Sequence, residues 1–251
     1  MAIIQEQDLV PYNISDLPPS PYLIFSPHPD DETFGMGGTI ALAAKRNIEV
    51  NVVTVTDGAA GGDAAIRKKE AQKASDILGI HNLLFLKLPD RQIGITDVTI
   101  QFFAQIIEKF SPMTIFLPSF FEFHPDHRVV TGIATQAIKL TSFQGSLWLY
   151  EILRQSEANR FIDITDVLDI KLKAMKAYHS QLEQRPYDEY VLALNRLRAY
   201  TLPEDVRYAE AFWEFSGKID CGELFNHIKK YSVDRETITS PFKRLMHFLK
   251  G

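Results

Sequence analysis

Tyr22-Leu23-Ile24-Phe25-Ser26 runs straight into Pro27-His28-Pro29-Asp30-Asp31-Glu32. An apolar strand-like run thus ends abruptly in imidazole and carboxylate groups. Ile115-Phe116-Leu117 does the same before His124-Pro125-Asp126-His127. Pro29 fixes its own φ and biases His28 toward extended geometry, so the first turn is held by sequence. If both runs are strands of one sheet, their polar ends meet at one edge of it.

The intervening chain supports that placement. Short runs rich in Val, Ile, Leu and aromatics fall at Tyr22–Ser26, Glu49–Thr56, Leu83–Leu88, Thr114–Pro118 and Ser146–Ile152. Helical stretches are expected between them at Gly37–Lys45, Ala64–Leu78, Val98–Phe110 and Asp126–Leu140. Ala71, Ala74, Ile77 and Leu78 make an apolar stripe, and Gly79 is a helix stop. Strand–helix alternation predicts an α/β fold: a Rossmann-like, mostly parallel sheet with helices on both faces. Ligands of such sheets bind at the carboxyl ends of strands. Both clusters fall there, with Asp57-Gly58 and Pro89-Asp90-Arg91.

Beyond residue 152 the pattern predicts a strand at Arg160–Thr165, helices at Val167–Leu182 and Asp188–Tyr200, and a last strand at Tyr208–Phe215. The organisation read from this is a lead-in over 1–21, a main domain over 22–215 and a C-terminal α-rich extension over 216–251. In the tail, Phe242, Leu245, Met246 and Leu249 share a helical face.

Composition narrows the function classes. A net charge of −5 leaves no polyanion footprint, arguing against nucleic acid. The single Cys221 excludes an intramolecular disulfide framework and a Cys-rich zinc site. The N-terminus lacks a basic, then apolar, signal pattern, and no run approaches the roughly 18 apolar residues of a membrane span. A cytoplasmic protein is the expectation. Oligomerisation is open, with the tail a candidate interface. Lys243, Arg244 and Lys250 could give a weak membrane-surface contact, less favoured than docking on the protein itself.

The clusters read as a catalytic metal site. Asp30 and Asp31 are adjacent and cannot easily point the same way, so one can hold an ion while the other faces water. A His and an Asp from the first cluster, with a His from the second, make a three-ligand set with an open position. His124 and His127 sit on one side of an opening helical turn if Pro125 begins it. One can ligate; the other can reach a developing oxyanion, with Asp126 beside it. Gly35, Gly37 and Gly38 do not form a phosphate loop and fit close helix packing. Asp57–Gly62 reads as a mobile substrate rim, and His81 and His227 as structural.

These motifs closely resemble the PIG-L/LmbE family of zinc-dependent de-N-acetylases. Arg67-Lys68-Lys69-Glu70 is similar to that family's RxxE helix, and Leu88-Pro89-Asp90 to its loop after the third strand. Lys173–Gln181 is similar to its K-x-x-A…H-x-S-Q segment, and Tyr208–Phe212 to its AE-x-F segment. The resemblance covers about residues 22–215. It implies that His28, Asp31 and His127 hold one Zn2+ (Fe2+ or another divalent ion being the alternative), with Asp30 as general base. It further implies that His124 assists, oriented by Asp126, while Arg67 and Asp90 bind substrate hydroxyls. The implied reaction removes the N-acetyl group of an N-acetylglucosamine-type conjugate. Glu122 departs from the active-site Tyr that mycothiol-type relatives carry two residues before the second motif. The competing readings are a metal-dependent phosphoesterase and a non-catalytic carbohydrate-binding protein.

Overall fold

A computed structural model describes residues 12–215. Its seven strands are β1 (Tyr22–Ser26), β2 (Val50–Thr56), β3 (Asn82–Leu88), β4 (Thr114–Pro118), β5 (Ser146–Tyr150), β6 (Arg160–Asp163) and β7 (Ala209–Phe215). The helices are α1 (Asp31–Lys45), α2 (Ala64–Leu78), α3 (Asp97–Phe110), α4 (Pro125–Lys139), α5 (Leu168–Met175), α6 (His179–Leu182) and α7 (Tyr187–Arg198). All strands join one sheet in the order β3-β2-β1-β4-β5-β7-β6. The first five are parallel, and β7 runs antiparallel to both β5 and β6.

This order creates the position that matters. From β1 the chain winds outward to β2 and β3, then returns across to β4, on the other side of β1. The carboxyl ends of β1 and β4 therefore flank a topological switch point, where an open α/β sheet leaves a crevice. Register is fixed by burial: Tyr22 and Ile24 pack on one face, Leu23 and Phe25 on the other. A one-residue slip would exchange the faces of every side chain. α1, α2 and α5 cover the first face and α3 and α4 the second.

Local signals set the helix ends. Asp63 caps α2 by accepting from the Ala65 and Ile66 N–H groups, and Gly79 stops it at φ 75°. Thr96 and Thr99 form a reciprocal box at the start of α3. Pro125 opens α4, as expected. α1 differs from the expected Gly37 start: it begins at Asp31 and carries a kink at Met36, within the helix-poor Gly35–Gly38 run. A Cβ at Gly35 would meet Tyr150 at 2.6 Å, which bears out the packing role.

Two other boundaries differ for physical reasons. β5 stops at Tyr150 because the next backbone N–H groups turn to Glu122. The stretch expected as one helix over Val167–Leu182 breaks after Met175, letting the buried Tyr178 hydroxyl reach Glu32 Oε1 at 3.0 Å. The conspicuous lysine of that segment is Lys171, not Lys173. It is fully buried, and its Nζ donates to Glu210 Oε1 (2.7 Å) and Asn195 Oδ1 (2.8 Å). Glu210 also accepts from the Gly38 and Thr39 N–H groups and the Thr39 hydroxyl, tying β7 to the middle of α1.

No helix among the described residues is long and apolar enough to cross a membrane. The expected amphipathic tail, with Phe242–Leu249 and its basic residues, lies outside the described residues, as do Cys221 and His227. Glu210→Ala would leave the Lys171 ammonium buried without its counter-charge. We expect a stability loss of about 3–5 kcal/mol in denaturant unfolding; a loss below about 1 kcal/mol would show the pair to be dispensable.

Candidate metal centre and active site

The loop after β1 and the N-terminus of α4 bring their side chains together at the switch point. His28 Nδ1 lies 3.0 Å from Asp31 Oδ2, His127 Nε2 lies 3.2 Å from the same oxygen, and the two ring nitrogens are 3.3 Å apart. These atoms form a buried triangle of lone-pair donors. Asp31 Oδ2 also accepts the His28 backbone N–H at 2.8 Å, which fixes the carboxylate from within its own turn.

The surroundings hold the rings in place. His28 Nε2 faces Asp90 Oδ1 at 3.3 Å and Asp126 Oδ2 at 3.4 Å, in contact but not aligned as a hydrogen bond with either. Burial opposes the His28 cation, but the Asp31 charge and the contacts to Asp126, Asp31 and Asp90 hold its pKa well above the usual range. Burial likewise opposes the Asp31 anion, yet His127 and His28 keep it well below the carboxylate range. Two further groupings, His28–His124–His127 and His28–Asp90–Asp126, have donor atoms within 4.8 Å of one another. The Asp31-centred triangle closes within 3.3 Å. Its three converging donors, with two carboxylates behind one ring, fit a divalent ion carrying outer-layer support. Asp90 Oδ1 and His127 Nδ1 are buried without a hydrogen bond.

Asp30 turns away from the triangle. Its Oδ2 accepts from Arg67 Nη2 at 2.9 Å, while Arg67 Nη1 donates to Gly58 O at 2.8 Å. Burial pushes the Asp30 carboxyl up to about 7, against the pull of the Arg67 guanidinium. Gly58 stands at φ 67°, and a Cβ there would lie 2.5 Å from Arg67 Nη1, so this turn requires glycine. The Asp57–Gly62 loop does rim the site, but it is pinned. Ala60 N–H donates to Asp90 Oδ2, and Gln181 and Gln184 donate to Gly61 O.

His124 caps α4: the Asp126 N–H donates to its Nδ1 at 3.2 Å. Nδ1 is therefore the acceptor, and the neutral ring carries its proton on Nε2. Burial and the charges of His28 and His127 bring the His124 pKa down to about 4. The expected Asp126–His124 pairing is thus made by the backbone. The Asp126 carboxylate instead faces His28 and accepts the Arg91 N–H at 2.7 Å.

A cavity of about 200 Å3 opens on these groups, lined by His28, Asp30, Asp31, Arg67, Asp90, His124 and His127. Arg67 and Asp90 line it, with Arg67 donating to Asp30 and Gly58 and Asp90 Oδ2 accepting the Ala60 N–H. Gln181, Gln184, Tyr187, Ile152 and Leu153 also line it. Sequence reasoning passed over these. Gln181 stood in a quoted motif, whereas Ile152 and Leu153 carried no local signal. His81 is structural as expected, its Nδ1 accepting the Val50 N–H.

Fold and site together define a doubly wound α/β protein with a candidate mononuclear metal centre at its switch point. A family model described as "PIG-L: GlcNAc-PI de-N-acetylase" matches residues 23–138. A probable N-acetyl-alpha-D-glucosaminyl L-malate deacetylase 2 of Bacillus subtilis is 30% identical over 64% of this chain and 83% of its own length. The chain belongs to the PIG-L family. A diacetylchitobiose deacetylase of Thermococcus kodakarensis is 26% identical over 71% of this chain and 76% of its own length. A solved N,N'-diacetylchitobiose deacetylase from Pyrococcus horikoshii superposes with a TM-score of 0.68 at 27% identity, covering 84% of this chain and 87% of that one.

The chelated protein should take up one divalent ion per chain. Asp31→Ala should weaken uptake by more than about 100-fold, beyond the cost of losing an outer-layer partner. Calorimetric titration with elemental analysis measures both; unchanged affinity in Asp31→Ala would remove this triangle as the binding site.

Proposed function

We propose that this chain is a metal-dependent hydrolase that removes the N-acetyl group of an N-acetylglucosamine-type conjugate, releasing acetate and a free amine. The observation that carries the reading is the His28–Asp31–His127 triangle with a separate carboxylate, Asp30, beside it on the same cavity. Its family membership and the deacetylases it is similar to support the same chemistry. His28, Asp31 and His127 would hold the ion. Zinc suits this donor set, and Fe(II) is the alternative that elemental analysis distinguishes. When bound, such an ion supplies Lewis acidity, making water more acidic and a carbonyl more electrophilic.

The residues of the chain divide the remaining work. Asp30, poised near neutrality by burial against Arg67, accepts the proton of the attacking water as the new C–O bond forms. His124 offers its Nε2–H to the carbonyl oxygen as negative charge gathers there. A neutral His124 with Nδ1 already accepting could give up that proton only by becoming an anion. Asp30, having taken a proton, is therefore the group placed to return it to the nitrogen as the C–N bond breaks. Arg67 is the positioning cation of this step. Asp90 and Asp126, turned toward His28 Nε2 and toward backbone N–H groups, read as ring supports rather than as donors for a second ion.

Acetate release from a panel of N-acetylglucosaminyl conjugates, with and without chelator, tests the reaction. Turnover only in the metal-loaded protein is expected; no acetate from any of them would defeat the reading. Asp30→Asn should keep its metal and lose about 100- to 10,000-fold in kcat; a loaded variant of full activity would rule out Asp30 as the base. Arg67 stabilises the Asp30 anion, so its loss raises the Asp30 pKa. In Arg67→Met the acid limb of kcat/KM should move to higher pH by roughly one unit. A limb that stays put or moves to lower pH would separate Arg67 from the base.

A further inference from the structure

Glu122 is buried two residues before His124, and its carboxylate takes no part in the donor triangle. Oε1 accepts the backbone N–H of Ile152 at 2.7 Å and of Arg154 at 3.4 Å, and Oε2 that of Leu153 at 3.5 Å. Three consecutive main-chain N–H groups thus close on one carboxylate, a charge-assisted grip on the segment that follows β5. The adjacent Glu151 holds the far end of that segment. Its Oε1 accepts the Ser156 N–H, and its carboxylate pairs with Arg198, whose guanidinium also donates to Ser156 O.

Arg198 ends α7, and Tyr187, which begins it, lines the same cavity as Ile152 and Leu153. With Phe34 these side chains make the apolar part of the cavity lining, which the amides of Gln181 and Gln184 share. Conjugates that share the acetamide and the sugar differ in the group beyond it. An apolar wall favours a group with an apolar face and offers nothing to a small, fully hydrated one.

We propose that Glu122 is a positioning residue that fixes this wall through the 152–154 backbone, and that the wall selects conjugates whose leaving portion carries an apolar face. The selection rests on the deacetylase reading above; the grip on the backbone does not. The Glu122 carboxylate also feels the charge of His127. A rival role acting through that ring would be moved equally by Glu122→Ala and Glu122→Gln. The backbone grip would not, because the Gln amide oxygen still accepts from Ile152.

Amide hydrogen exchange on the metal-loaded full chain tests the grip without any substrate. In Glu122→Ala, exchange at Ile152–Arg154 should accelerate about 100-fold, and less in Glu122→Gln, with metal content unchanged in both. The phenyl and methyl glycosides of N-acetylglucosamine test the wall. The KM of the phenyl glycoside should be the lower in the parent and rise about tenfold in Glu122→Ala, while that of the methyl glycoside moves less than about twofold. Without turnover, calorimetric Kd values for the same two compounds replace KM, and such an outcome counts against the deacetylase reading alone. Unchanged exchange in both variants would overturn the grip. Equal changes for the two glycosides, no preference in the parent, or metal loss in both variants would overturn the wall.

Discussion

A carboxylate oxygen held between two imidazole nitrogens, at the switch point of a buried parallel sheet, is the contact on which the rest of the molecule depends. Asp31 Oδ2, His28 Nδ1 and His127 Nε2 crowd within 3.3 Å of one another on three buried residues. Lone pairs facing each other at that distance repel unless protons or a cation lie between them. The fold imposes the crowding. β1 and β4 are neighbours in fixed register, Tyr22 against Thr114 and Ile24 against Phe116, so their terminal loops have one relative placement. Strands buried on both faces cannot slip to relieve it.

Around that contact, buried charge is compensated in separate directions. Asp30 looks to Arg67, and Arg67 to the carbonyl of Gly58, so the proposed base is held by a cation that is itself fixed by a glycine turn. Asp90 and Asp126 look to the outer nitrogen of His28. Glu122 looks away from the centre to backbone N–H groups, and Glu210 to Lys171 deeper in the core. The carboxylates that crowd this end of the sheet therefore do different jobs, and their neighbours rather than their residue type decide which.

Much of this was legible in the chain. Strand–helix alternation gave the sheet, and paired polar clusters after apolar runs gave the crevice, because both depend on local pattern. Ala64–Leu78 and Thr114–Pro118 fall where periodicity puts them. What was not legible depends on long-range partners. Asp126 sits beside His124 in sequence, yet its carboxylate turns to His28, and only the Arg91 N–H across the crevice explains why. Arg67 resembles a substrate ligand by motif but is engaged by Asp30. Ile152 reads as the end of a strand, but its N–H and that of Leu153 turn to Glu122 and both residues line the cavity.

We assign the proposed ion to His28, Asp31 and His127. An anomalous-difference map of a metal-loaded crystal, collected at the absorption edge of the bound metal, tests it most directly. One peak is expected, bounded by His28 Nδ1, Asp31 and His127 Nε2. A peak on the opposite edge of the His28 ring, between Nε2, Asp90 and Asp126, would contradict it.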